Sequence, residues 1–153
     1  MQTEIKEPLS ISFNLKQIRT LEFSISNRIN QNSFDVSLVQ FRVSLGYEFN
    51  ADSDLLGIQT TVEVFTDNSE QLKICHLISL ITFQVTDLGK IFRSSESEIT
   101  VPDILMHTFL SLAISTTRGI LTAKTEGTVL HDSFMPVIDL QQFLSQTDTP
   151  KGI

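Results

Sequence analysis

Cysteine occurs once in this chain, at Cys75, within the apolar run Ile74-Cys75-His76-Leu77-Ile78. A single thiol excludes an internal disulfide, which suits a reducing compartment. Glycine and proline number six and four, too few for a long flexible linker. The longest nearly apolar stretch, Leu77 to Phe83, falls far short of the ~20 residues that a membrane-spanning helix needs. Basic residues are outnumbered, eleven to eighteen, for a net charge of −7. That balance repels nucleic acid and anionic membrane surfaces, so neither is an expected partner. Met1 to Pro8 is polar and charged, unlike a secretory signal. A soluble, cytoplasmic protein is the expectation.

Catalytic patterns are missing too. His76, His107 and His131 include no pair three to five residues apart, so there is no zinc-type spacing. Cys75 and His76 are adjacent in a strand and point to opposite faces. A catalytic Cys75–His pair would need a histidine from elsewhere, and a buried, inert thiol is the plainer reading. Asp52 and Asp54 echo a calcium loop without its glycine or its closing glutamate. No nucleophile elbow, phosphate-cradling glycine loop or H-E-x-x-H motif occurs. The sequence supports no enzyme class, catalytic residue, metal or cofactor.

What is present is a foldable chain. Its 153 residues suit one domain, and 41% hydrophobic against 19% charged residues argues against disorder. Leu9, Ile11, Phe13 and Leu15 alternate with polar residues, and the parity returns at Leu21, Phe23 and Ile25. That predicts a half-buried strand with a bulge near Ile18. A second strand is predicted from about Phe34 to Phe49, with a parity switch at Leu38-Val39. The third covers about Ile58 to Thr66 and the fourth about Leu72 to Thr86. Apolar residues on both parities of the fourth predict two covered faces. The strands occupy about residues 9–86 and form an antiparallel meander, with polar turns at Asn27–Ser33, Asn50–Asp54 and Asp67–Ser69.

The composition changes after that. Ser94 to Glu98 reads as a solvated acidic loop. Thr100 and Asp103 fit the ends of a capping box, and a long helix is predicted from about 100 to 126, stopped by Gly127. Its small and β-branched residues invite close approach of another backbone. Intrachain packing on the sheet and a helix–helix contact between subunits both fit; the subunit contact would use Leu112, Ser115, Thr116 and Gly119. The loop 127–138 is unusually apolar. Asp139 is placed to cap a short helix, about 139–146, with Leu140, Phe143 and Leu144 on one stripe. The fold class is α+β: a four-stranded antiparallel meander, one long helix and a short C-terminal helix.

Several of these residues carry a resemblance. Pro102-Asp103-Ile104-Leu105, Arg118-Gly119, Pro136-Val137 and the Asp139–Leu144 helix resemble the C-terminal half of the SecB family of protein-export chaperones. Ile18 to Ser24 resembles that family's first strand, and Ile74-Cys75 through Thr82-Phe83 its fourth. The resemblance implies a cofactor-free holdase for unfolded or nascent polypeptides. It also implies a homotetramer, a dimer of dimers with long helices sandwiched between two sheets. There are departures. The segment from Arg118-Gly119 to Pro136 is longer, Met106-His107 replaces a second proline, and the tail is short. Glu22 stands where the family docks its secretion motor ATPase, while Ser26 and His76 replace further acids. SecB-like chaperones that serve toxin–antitoxin systems drift in this way, which makes an antitoxin the other partner implied.

On this reading the client groove is lined by Phe134, Met135, Leu140, Phe143 and Leu144, with Phe49, Leu55, Leu56 and Ile58 from the sheet. The same residues would also serve to cap a core. The alternative function is a non-enzymatic α+β module that binds a small apolar ligand between sheet and helix.

Overall fold

The protein is described from a computed structural model covering residues 12–26, 35–66, 72–91, 93–95, 98–100 and 103–146. Strands β1 (Phe13–Ile25), β2 (Gln40–Asn50), β3 (Leu55–Phe65) and β4 (Lys73–Val85) form one antiparallel sheet. A four-residue helix, α1 (Leu88–Ile91), follows. The short ribbon β5 (Arg93–Ser95) and β6 (Glu98–Thr100) leads to α2 (Asp103–Lys124) and then α3 (Leu140–Gln146). The expected architecture is present: antiparallel sheet, long helix, short helix. The sheet order is β1-β4-β3-β2, so β2, β3 and β4 run as consecutive hairpins and β1 lies against β4. This leaves β1 and β2 as the two edges.

Register sets the sheet's faces. Leu56 pairs with Phe83, Ile58 with Ile81 and Val62 with Leu77, which places the apolar side chains of β3 and β4 on one side. Phe41, Val43, Leu45, Tyr47 and Phe49 join them from β2. On β1 the register slips between Leu15 and Gln17 and again between Thr20 and Glu22. Each slip inserts one residue and reverses parity. Phe13, Leu15, Ile18 and Phe23 therefore share the inner face although their numbers change parity. The predicted bulge near Ile18 is in fact two, one on each side of it.

Other expectations need correction. The parity switch at Leu38-Val39 is not a bulge in a sixteen-residue strand. Val36–Leu38 forms a single 3-10 turn, with Asp35 Oδ1 accepting from Ser37 N, and β2 starts after it. Only the inner face of β4 is fully buried; His76, Ile78, Leu80 and Thr82 on the outer face are half-buried. Of the stretch read as an acidic loop, Ser94, Ser95 and Glu98 belong to the β5–β6 ribbon, and Thr100 ends β6 rather than capping α2. The strand start at 9–11, the turns at 27–33 and 67–69 and the tail at 147–153 lie outside the described residues.

The helix packs across the inner face. Phe109 meets Phe83 and Phe13, each at 4.9 Å between ring centroids. About two turns along, Thr117 Oγ1 lies 2.7 Å from Ser79 Oγ in the buried interface. Thr117 donates to the Ala113 carbonyl, which leaves Ser79 to donate to Thr117. Near the helix end, Lys124 Nζ lies 5.6 Å from the centroid of the Phe23 ring. These contacts, from Phe13 toward Phe23, show that α2 runs along β1's direction. Past the helix, Gly127 adopts φ +76, the left-handed conformation expected of a residue that ends a helix.

Candidate functional site

The segment after α2 is held tightly without being regular. Thr128, His131 and Ser133 donate backbone N–H groups to Thr125, Thr128 and Leu130 in successive turns. From Ser133 the chain extends, and its side chains alternate: Ser133 and Met135 are buried, Phe134 and Pro136 exposed. Leu130, Met135 and Leu140 anchor it in the core. As expected, Asp139 caps α3, its Oδ1 accepting from Gln141 N at 3.0 Å and Gln142 N at 3.3 Å.

Between this segment and α2 lies a groove of about 650 Å³. Ser115, Gly119 and Ala123 contribute from the helix, one turn apart, and Phe134 contributes from the segment opposite. Arg118 spans the two. Its Nε donates to the Met135 carbonyl at 3.1 Å and its Nη2 to the Pro136 carbonyl at 3.0 Å. Glu126, His131 and Asp132 edge the groove. Phe134 is 61% exposed and Val137 89%, large apolar side chains that the single chain leaves in solvent.

The structure thus brings together residues that the sequence assigned to two roles. Ser115 and Gly119, expected at a subunit contact, line the same groove as Phe134, expected to hold clients. The small residues of α2 also divide by face. Ala113 and Thr117 are fully buried against the sheet, whereas Ser115 and Gly119 are exposed. A Cβ built on Gly119 would meet nothing within 4 Å, so packing within this chain does not require its small size. Leu112, 41% exposed, and half-buried Thr116 complete that flank.

The remaining groove candidates separate. Leu56, Ile58, Met135 and Leu140 are core residues, nearly inaccessible. They support the groove walls from beneath and are not its lining. Leu55 has the opposite strand parity to Leu56 and points to the outer face. Phe49 is half-buried on the inner face, its ring 5.0 Å from that of Tyr47, and Phe143 is half-buried on α3. Leu144 is in α3, and its side chain lies outside what is described. Glu22 is an exposed outer-face residue, with Oε1 3.2 Å from His76 Nδ1. Cys75 faces inward from the same strand, and burial pushes its thiol up to about 11, which keeps it protonated and unreactive at neutral pH. Among the described residues no group of three or more His, Cys, Asp or Glu is placed to hold a metal ion. No described helix is long and apolar enough to cross a membrane.

Arg118's clamp was not anticipated, nor were Ala123, Glu126, His131 and Asp132 at the groove. One signal was there to find. Arg118 is the sole Lys or Arg between Asp103 and Ala123, and a lone cation in an otherwise apolar, small-residue helix calls for a partner.

Comparison with known proteins agrees with the geometry at the level of fold. The SecB-like chaperone Rv1957 of Mycobacterium tuberculosis, solved in complex with a ChAD peptide from the Rv1956 HigA1 antitoxin, matches with a TM-score of 0.55. The match covers 82% of this chain and 90% of that one, at 8% identity. The chain has a SecB-like fold. A Streptococcus agalactiae protein of unknown function covers 86% of this chain and 99% of its own at 8% identity, with a TM-score of 0.44. No family model matches the sequence, and no curated protein matches it.

Proposed function

We propose that this protein is an ATP-independent chaperone, a holdase that binds unfolded or export-bound polypeptides through exposed apolar surface. The observation that carries the reading is the groove walled by Phe134 and floored by small helix residues, on a fold shared with a peptide-binding chaperone. Such a surface suits many sequences. Burying apolar area yields roughly 25 cal/mol per Å² whatever the order of residues, and Ser115, Gly119 and Ala123 keep much of the floor small, with Thr122 beside them. The reading assigns the protein no catalytic step and no cofactor, and it places the protein in the cytoplasm, where unfolded clients and antitoxins reside. The secretion motor, docking at Glu22, and an antitoxin are the specialised partners it allows.

Assembly belongs to the same proposal. The exposed flank Leu112, Ser115, Thr116 and Gly119 is the surface on which α2 meets a second copy, within a homotetramer built as a dimer of dimers; the second copy then covers the Ser115–Gly119 end of the groove, and clients take the end between Ala123 and Phe134. The alternative, a small apolar ligand held between sheet and helix, finds less support. That interior is occupied by Phe13, Phe83 and Phe109, packed at 4.9 to 6.3 Å.

The test is affinity for a reduced, carboxymethylated protein that cannot refold. Phe134→Ala weakens binding about tenfold while the thermal midpoint stays within a few degrees, since an exposed ring contributes little to folding. Phe143→Ala, half-buried, weakens binding less and lowers the midpoint more. Unchanged affinity in Phe134→Ala would sink the groove assignment.

A further inference from the structure

We propose that Arg118 is the positioning residue of the groove: its guanidinium holds the segment bearing Phe134 at a fixed height above α2. The inference rests on the chaperone reading and goes beyond it, because it names what shapes the binding surface.

The segment from Ser133 to Pro136 alternates buried and exposed side chains as a strand does, yet it belongs to no sheet. Backbone carbonyls outside a ladder still need donors. Two consecutive ones, Met135 and Pro136, find them in a single side chain, through Nε and Nη2 of Arg118. Those two nitrogens lie on one edge of a rigid planar fork, so the bonds fix the direction of the segment as well as its distance. A lysine offers one flexible point of attachment and cannot reproduce this. The clamped carbonyls flank the inward anchor Met135, 3% exposed, and Phe134 is the residue immediately before it. With Arg118 in place, Phe134 lines the groove opposite Ser115, Gly119 and Ala123. Without it, only Met135 and the half-buried Ile138 hold the stretch between the turns at 128–133 and the cap at Asp139, and the ring loses its fixed position.

A double-mutant cycle on client affinity tests this, using the same carboxymethylated protein. Arg118→Met keeps the aliphatic bulk and removes both donors. It is expected to weaken binding about tenfold, matching Phe134→Ala, with Arg118→Lys in between. The Arg118→Met/Phe134→Ala double variant binds about as well as either single one, because both remove the same wall. Hydrogen exchange in 133–139 speeds up in Arg118→Met, while exchange in the middle of α2 does not. A purely structural arginine would give losses that multiply, to about a hundredfold, and that outcome overturns the proposal. So does wild-type affinity in Arg118→Met. If Arg118→Met fails to fold, the cycle built on Arg118→Lys decides in the same way. Wild-type affinity in Phe134→Ala defeats the groove reading itself, and this proposal with it.

Discussion

At Thr60 a hydroxyl is fully buried in the sheet–helix interface, and among the described residues it is the buried side-chain polar atom that has no hydrogen-bond partner. Its register neighbour Ser79 is engaged with Thr117. Desolvating a hydroxyl without compensation costs about 1–3 kcal/mol. Thr60→Val keeps the shape and removes the group, so it is predicted to raise unfolding free energy by about 1 kcal/mol in a denaturant titration. Ser79→Ala removes a satisfied donor and is predicted to lower it by a similar amount. On the outer face Glu63 lies between two cations, Arg42 and Lys73. The hydrogen bond from Lys73 to Glu63, 3.1 Å long, holds the Glu63 carboxyl below its usual range, helped by the positive charge of Lys73 and Arg42 and opposed by partial burial. A carboxylate with a lowered folded pKa stabilises the fold above its unfolded pKa, and that contribution fades as pH falls through the folded value. From pH 5 to pH 3, therefore, the wild type is predicted to lose more stability than Glu63→Gln, and added salt to narrow the gap. Partnerships of this kind were hidden in the sequence. Glu63 and Lys73 are ten positions apart across a hairpin whose register no local pattern states, and Thr60 looks like any strand threonine until its neighbours are known.

The elements were easier to read, for physical reasons that differ between them. Alternation in β2 survives in the structure because this strand pairs with β3 without a slip from Gln40 to Asn50. In β1 the alternation breaks twice, and a parity change at Ile18 reports that something intervenes without saying how many residues are inserted. The 3-10 turn at Val36–Leu38 was read as strand because three residues are too few to show a period. Helix α2 was legible in the sequence, although it ends at Lys124, three residues before the glycine expected to stop it; its small residues pointed two ways, and the structure divides them by face. Ala113 and Thr117 let the helix sit close to the sheet, while Ser115 and Gly119 face outward with room to spare. That division yields an element-level prediction. Gly119→Leu and Ser115→Leu add bulk where this chain has nothing to clash with, so each variant is expected to fold with a thermal midpoint close to wild type. Each is expected to lower the mass measured by light scattering, as the flank no longer meets its second copy. A mass equal to wild type in both would refute the flank as an assembly surface.

On the scale of the whole molecule, the fold places a groove beside α2 and, among the described residues, leaves β1 and β2 as the sheet's edges around a filled interior. The long loop between Gly127 and Pro136, which looked merely extra in the sequence, is what builds the groove: its turns bring Phe134 back over α2, and Arg118 holds it there. Sequence reasoning singled out Phe134 for clients and Ser115 and Gly119 for a subunit contact, but not that they share one groove, because nothing in spacing alone says that position 134 returns toward position 119. The account's central claim is that this surface binds unfolded chains without energy input. The most direct measurement is aggregation of a thermally unfolded test protein, followed by light scattering in ATP-free buffer with this protein at equal molar concentration. The account predicts suppression by the wild type, with clearly weaker suppression by Phe134→Ala at the same concentration. Aggregation that proceeds at the same rate and to the same extent with and without the wild-type protein would contradict it.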